Sequence, residues 1–497
     1  MSKYIISIDQ GTTSSRVCLF NKSGQLVDQV QKEFRQIFPR PDWVEHDPEE
    51  IWQSVVFCLK EILTKYSSGD IDAVGITNQR ETVVLWDKQT GKSVYNAIVW
   101  QDKRTDAVCR KQRKPNGAYV KKTTGLVIDP YFSGTKIRWI LDNVPETRSL
   151  LKENRLCAGT IDTFLIWKLT KGNTHATDVS NASRTLLMSL KSRNWDEKCL
   201  KIFGVPKAIL PEIRKSNSFF GTIVCDEIKN LLSRSLNIHG VAGDQQAALF
   251  GQVCFETGTS KCTFGTGSFI LYNIGTKIKY SKQGLLTTLA WELENEKPVY
   301  AFEGGAFICG AAVVWLRDNL GLFAQSKDIE KMALQVDSTE GVIFVSALSG
   351  LGAPYWKDNA KGRISGLTRK SNKYHLARAT LESMSLQNLD IIKVMEAESG
   401  KKLLELKTDG GAAKNDLLMQ FQSDFLQKKV IRAHILETTA LGAAFLAGLG
   451  SGFWSSKSEL KKTWRWDKEF FPKKKSKVIL DTIQNWNQAV RNLIKEL

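Results

Sequence analysis

The sequence is poor in the residues that build metal clusters and redox centres. Its nine cysteines are scattered from Cys18 to Cys309 with no CxxC pair, and its five histidines are equally dispersed. That spacing argues against a zinc site, and an odd cysteine count in a long chain points to reduced thiols of a cytoplasmic protein. No apolar run reaches the roughly 18 residues of a membrane span; the nearest, Leu441 to Trp454, is short and rich in Gly and Ala. The start, Met1-Ser2-Lys3-Tyr4-Ile5, lacks the long apolar region of a signal peptide. Also missing are the P-loop pattern GxxxxGK(S/T), the spacing of a dinucleotide fingerprint, and any recognition motif of the common DNA- and RNA-binding classes. Acidic residues are the last shortage: 52 against 70 Lys and Arg, a net charge of +18. The surplus raises the question of a nucleic acid, a membrane surface or a small anion as partner.

What is present reads as alternating strands and helices. With 42% hydrophobic and 25% charged residues the composition is that of a globular protein, and 497 residues at roughly 100–200 per globular unit predict two or more domains. Tyr4 to Asp9 and Val17 to Phe20 are β-rich runs separated by Gln10-Gly11-Thr12-Thr13-Ser14-Ser15-Arg16, which predicts a hairpin with a polar turn. Asp47-Pro48-Glu49-Glu50 opens a helix, with Asp47 as N-cap and Pro48 in the first position. Ile71 to Thr77 is a strand that ends at Asn78-Gln79-Arg80-Glu81. In the second half, Lys261 to Gly275 repeats the strand–turn–strand device, and Leu404 to Thr408 is a strand ending at Asp409-Gly410-Gly411. This pattern predicts α/β layers in two related lobes, residues 1–240 and 241–497, with a hinge near residue 240.

Three strand-end turns could cradle phosphate. In the first, Gly11 permits a tight backbone, Thr12, Thr13 and Ser14 offer hydroxyls and amides, Arg16 adds a charge-assisted contact, and Asp9 could hold Mg²⁺ through its waters. The others are Phe264-Gly265-Thr266-Gly267-Ser268 and Asp409-Gly410-Gly411-Ala412-Ala413-Lys414-Asn415. Each alone is equally an ordinary turn; together they point to a nucleotide between two lobes. Asp244, before a helical run from Ala247 to Phe250, suits a helix cap, or the carboxylate that accepts a proton from an attacking hydroxyl. Arg80-Glu81 suits a surface salt bridge or a polyol clamp, and Trp100 and Tyr131 suit core packing or a ligand wall.

Longer segments carry a resemblance. They include Asp9-Gln10-Gly11-Thr12-Thr13-Ser14-Ser15-Arg16, Gly75-Ile76-Thr77-Asn78-Gln79-Arg80-Glu81-Thr82, Asp129-Pro130-Tyr131-Phe132-Ser133-Gly134-Thr135-Lys136, Asn181-Ala182-Ser183-Arg184-Thr185, Ala242-Gly243-Asp244-Gln245-Gln246 and Gly350-Leu351-Gly352-Ala353-Pro354-Tyr355-Trp356. Through these the chain resembles the glycerol kinases of the FGGY carbohydrate kinase family over nearly its whole length, weakening after about Glu469. The resemblance implies two ribonuclease-H-like lobes of the actin and hexokinase kind with a cleft between them, and transfer of the γ-phosphoryl group of MgATP to glycerol. It implies a glycerol pocket of Arg80, Glu81, Trp100, Tyr131, Asp244, Gln245 and Phe269, with Asp244 as the catalytic base. It places Thr12, Thr13, Ser14 and Arg16 on the nucleotide phosphates, and Thr266, Gly310, Gly411 and Asn415 on ATP-binding positions. Asp9 and Asp244 fall on the carboxylates associated with Mg²⁺, through water. A homodimer or homotetramer is implied, with no specific nucleic-acid partner and no membrane insertion.

The chain departs from the family's pattern at three places. Val314 stands where many members have a Gln near the adenine. Val224 to His239 lacks the Gly-rich basic loop that binds fructose 1,6-bisphosphate in some bacterial members, and the tail after Glu469 is divergent. The competing readings are a kinase of the same family for another polyol or ketose, a silent glycerol sensor, and a polyanion-binding protein using the basic segments 110–122 and 457–477, the second of which interleaves Trp464 and Trp466.

Overall fold

The computed structural model describes residues 3–473 and 477–497. Two mixed sheets dominate it, and they share a plan. In the first, the order is Gly221–Thr222, Asn237–Gly243, Ile71–Asn78, Tyr4–Gln10, Ser14–Asn21, Leu26–Glu33. In the second it is Leu286–Trp291, Val299–Ala306, Ser268–Gly275, Ser260–Phe264, Leu406–Asp409, Val430–Ala433, Trp466–Phe470. Each is built on an antiparallel hairpin, Tyr4–Gln10 with Ser14–Asn21 and Ser260–Phe264 with Ser268–Gly275. Each adds an antiparallel strand outside the hairpin and two parallel strands on its other side. Each then gains an antiparallel edge strand. This is the two-lobed α/β architecture that the sequence predicts.

The central strands are covered on both faces, so they read as continuous apolar runs; the edge strand Leu26–Glu33 keeps alternate residues in water. One difference from the sequence reading concerns the first hairpin. Its strands extend to Gln10 and from Ser14, pairing Asp9 with Arg16 and Gln10 with Ser15, so the turn itself is only residues 11–13. Main-chain hydrogen bonding runs on through the polar residues, because Ser15 is buried and hydrogen-bonded to Ser54 (2.7 Å) on the covering helix Pro48–Lys65. That helix starts as predicted, with Asp47 accepting from the Glu49 amide at 2.8 Å.

The strand Asn237–Gly243 runs through position 240 inside the first sheet, and the helix Asp244–Gly251 follows it without a break. Helix Thr438–Ser451, reached late in the chain, packs on this helix and on four strands of the first sheet. The run of Gly and Ala in Leu441 to Trp454 is explained by that position. A Cβ on Gly442 would lie 1.8 Å from the Ala247 carbonyl oxygen, and one on Gly75 would lie 2.3 Å from the Ala443 oxygen. Backbone meets backbone here, and no neighbouring side chain can swing aside to make room. Among the described residues no helix is long and apolar enough to cross a membrane.

This packing makes Gly442→Ala a sensitive probe. It is expected to cost at least about 1–3 kcal/mol through overpacking, read as a lowered urea midpoint. Gly117→Ala, at a helical site with nothing within 4 Å of the added Cβ, is expected to be neutral or to stabilise by about 0.5–1 kcal/mol.

Candidate active site

Parallel strands deliver the functional side chains because their ends lie level. Asp9 pairs with Thr77, and Asn78 pairs with both Gln10 and Gly243. The residues that follow, Arg80-Glu81 and Asp244-Gln245, therefore emerge together at the carboxyl edge of the first sheet, where open α/β sheets present their ligand sites. In the second sheet Thr263 pairs with Asp409, bringing the turns at 265–267 and 410–411 side by side.

At the junction lies a buried cluster of four charges. Arg80 from the first lobe donates both terminal nitrogens to Glu303 of the strand Val299–Ala306, at 2.7 and 3.0 Å. Arg184 donates to Glu81 at 2.6 Å and to Glu303 at 3.0 Å. All four residues are 3% exposed or less, a degree of burial that isolated charges do not tolerate. Burial pushes the Glu303 carboxyl up, but Arg184 and Arg80 outweigh it and bring it down to about 2. Burial also raises Glu81, and there the two guanidiniums do not fully offset it. Glu81 sits at φ 63°, in the left-handed region, with Ser133 donating to its carbonyl at 3.1 Å. Holding a non-glycine residue there costs about 1–3 kcal/mol and is a mark of functional sites.

The remaining donors of Arg80 show where a ligand can be read. Its terminal nitrogens also reach Gln246 (3.1 Å) and Tyr131 (3.4 Å), so they are taken. Its Nε lies 3.0 Å from Asp244 Oδ1 but makes no aligned hydrogen bond. A buried guanidinium N–H and a part-exposed carboxylate thus stand side by side. Tyr131 and Trp100 meet edge to face, with ring centroids 5.6 Å apart. Trp100 Nε1 also donates to Thr12 Oγ1 at 3.0 Å, tying this wall to the first phosphate turn. Lys136 is buried under the segment carrying Tyr131 and donates to the carbonyls of Pro130, Tyr131 and Phe132 at 3.0, 2.6 and 3.1 Å. Burial lowers its ammonium to about 8.

Around the first turn, Gln31 donates to Ser14 Oγ at 2.9 Å, and Arg16 pairs with Glu437, the residue before helix Thr438–Ser451. Asp9 accepts no hydrogen bond from any described side chain. Burial raises its carboxyl to about 6, with Arg16 opposing the shift and Asp244 adding to it. Asp9 and Asp244 therefore feel each other across the cleft. A pair of under-partnered carboxylates fits a hydrated Mg²⁺, which takes one or two carboxylates and keeps several waters. Among the described residues no group of three or more His, Cys, Asp or Glu is placed to hold a metal.

In the second lobe the amide of Gly310 donates to the Gly265 carbonyl at 3.0 Å, and those of Cys309 and Ala311 to Thr266 at 2.8 and 3.1 Å. Thr266 and Gly310 are thus one structural unit. Gly411 opens a short 3₁₀ turn that Asn415 follows, and Asn415 caps the next helix by accepting from the Leu418 amide at 2.8 Å. Phe269 faces Thr263 across the second hairpin and packs near Gly305. Gln245 meets Lys261 from the second sheet. Arg184, Glu303 and Lys261 had no role in the sequence reading.

The basic segments are laced with ion pairs: Arg110 with Asp106, Arg113 with Asp129, Lys457 with Glu296, Lys461 with Glu256 and Lys468 with Asp416. Residues 474–476 of the segment 457–477 lie outside the described residues.

The model of the FGGY family of carbohydrate kinases, N-terminal domain, matches residues 4–251, and that of the C-terminal domain matches residues 260–451. The chain is 55% identical over 496 residues to a glycerol kinase of Bdellovibrio bacteriovorus, covering 99% of this chain and 100% of that one. It is 49% identical over 494 residues to a glycerol kinase of Bacillus subtilis, covering 99% of each. The crystal structure of Plasmodium falciparum glycerol kinase with ADP superposes with a TM-score of 0.93 at 38% identity, covering 99% of this chain and 98% of that one.

The raised carboxyl of Asp9 gives a stability signature. Its ordinary value of 3.8 applies to the unfolded chain and about 6 to the folded one. The stability it contributes is therefore full below about pH 4 and is lost as pH rises through about 6. In ligand-free protein, Asp9→Asn should match the parent in thermal midpoint at pH 3.5, then exceed it by a margin that grows to pH 6 and levels off.

Proposed function

Because this chain belongs to the FGGY family of carbohydrate kinases, we propose that it transfers the γ-phosphoryl group of ATP to glycerol, giving sn-glycerol 3-phosphate and ADP. The observation that carries the reading is the Arg80 Nε–Asp244 pair, 3.0 Å apart on a buried charged floor. It offers one donor and one acceptor side by side, the arrangement that adjacent hydroxyls of a short polyol require. The Trp100–Tyr131 wall suits the C–H edge of the same chain, and Gln245 and Phe269 complete the proposed pocket.

In this mechanism Asp244 accepts the proton of the terminal hydroxyl as that oxygen attacks phosphorus in line. Arg80 and Glu81 hold the polyol, and Glu303 and Arg184 hold Arg80 and Glu81. Thr12, Thr13, Ser14 and Arg16 receive the phosphates, so Arg16 exchanges Glu437 for a phosphate oxygen when nucleotide enters. Thr266, Gly310, Gly411 and Asn415 receive the rest of the nucleotide from the second lobe. Asp9 and Asp244 would hold Mg²⁺ through water, and the ion would supply positive charge to offset that of the phosphates. Closing the cleft between the two lobes excludes water as a competing acceptor.

We place the enzyme in the cytoplasm as a homodimer or homotetramer, without fructose 1,6-bisphosphate control through residues 224–239. Val314, 40% exposed on the helix that begins at Gly310, costs it one contact to the base edge.

The direct test is ADP release in a coupled assay with glycerol, xylulose and ribulose. Turnover with glycerol is expected, and turnover with a pentulose but not glycerol would overturn the reading. Asp244→Asn is expected to lower kcat by about 10²–10⁴ with the fold retained; wild-type turnover would remove Asp244 from the role of base.

A further inference from the structure

Lys261 is a charged residue in the middle of a buried strand, with no role in the mechanism above. It is fully buried, in the second position of Ser260–Phe264. A lysine is almost never fully buried unless it is paired. Burial lowers its ammonium, and the nearby Asp409 and Asp244 resist that shift. Its side chain leaves the second sheet and ends beside the start of helix Asp244–Gly251, where it donates to Gln245 Oε1 and, at 2.9 Å, to Thr263 Oγ1. Two acceptors therefore hold an ammonium that has three N–H groups.

An amide side chain has an acceptor end and a donor end, and which end faces a ligand decides what it can read. An ammonium can only donate. With Lys261 on Oε1, the amide of Gln245 cannot flip, because its NH₂ group would then meet the ammonium and leave a buried donor pair unsatisfied. Gln245 is itself partly exposed, next to Asp244, and no described acceptor takes its NH₂ group. The NH₂ group is left for the cleft.

We propose that Lys261 is a positioning residue that fixes the polarity of Gln245, so that Gln245 presents its amide NH₂ to a substrate hydroxyl and demands an acceptor there. The inference rests on the glycerol-kinase reading of the same site. Lys261 comes from the second lobe and Gln245 follows the last strand of the first sheet, so the polyol is read correctly only where the two lobes meet. Lys261 acts through Gln245 and needs no contact with substrate.

A double-mutant cycle on the full-length enzyme tests this. Gln245→Ala and Lys261→Met should each raise the KM for glycerol about tenfold while leaving the KM for ATP within about twofold, the loss of one uncharged hydrogen bond in each case. The double variant should be no worse than Gln245→Ala alone, since Lys261 has nothing left to orient. Lys261→Arg, which keeps a donor on Oε1, should recover most of the glycerol affinity. Effects that multiply in the double variant, or a Lys261→Met enzyme with wild-type KM for glycerol, would overturn the proposal. Gln245→Glu keeps the buried lysine paired and replaces NH₂ by oxygen, so it tests the polarity even if Lys261→Met does not fold. A raised KM for glycerol with an undiminished thermal midpoint supports the proposal, and a wild-type KM refutes it. Absence of glycerol turnover in the wild-type enzyme would instead count against the underlying reading.

Discussion

The bond on which the site depends is the bidentate pair between Arg80 of the first lobe and Glu303 of the second. Removing four charges from water is costly, and mutual attraction repays the loss only when each partner is present and well aligned. Arg80, Glu81, Arg184 and Glu303 meet that condition as a set, with each guanidinium set against both carboxylates. The consequence is that neither lobe owns the pocket. The first lobe alone would bury two guanidiniums against one acid, and the second would bury Glu303 without either guanidinium.

The rest of the fold serves to hold that junction in register. Level strand ends bring Asp9, Arg80 and Asp244 to one edge. Helix Thr438–Ser451, drawn from late in the chain, is seated on the first sheet through glycine contacts so close that sliding is blocked. The Arg16–Glu437 pair sits at the start of that same helix. The proposed phosphate contact of Arg16 and the interlobe helix are thereby linked in one short path. The stiffest features lie where the polyol is proposed to bind. The exchangeable ones lie where the nucleotide is proposed to arrive.

Much of this was legible in the sequence, for definite physical reasons. Strand ends announce themselves where an apolar run meets Gly, Asp or Arg, so Asp9, Arg80, Asp244 and the turns at 265–267 and 409–411 stood out. The helix at Asp47 carried its cap and its proline. What did not stand out were partners whose meaning depends on contacts between distant residues: Arg80 and Glu303 are separated by 223 positions. A signal was available, since Glu303 interrupts Val299-Tyr300-Ala301-Phe302 and Lys261 interrupts a buried strand. A charge inside an apolar strand calls for a partner. The first turn was read too long because Ser14, Ser15 and Arg16 are polar, although their backbone continues the ladder.

The chain carries a net charge of +18. At the surface some basic residues pair with nearby acids, while Arg80, Arg184 and Lys261 are buried at the junction of the two sheets. The central claim is that the four buried charges build the polyol pocket across both lobes before nucleotide binds. Calorimetric titration of glycerol into nucleotide-free protein tests it most directly, with Glu303→Gln as the comparison. The account predicts saturable binding at one site per chain in the wild type and at least tenfold weaker binding in the variant. Glycerol binding that requires nucleotide, or that is unchanged by Glu303→Gln, would contradict it.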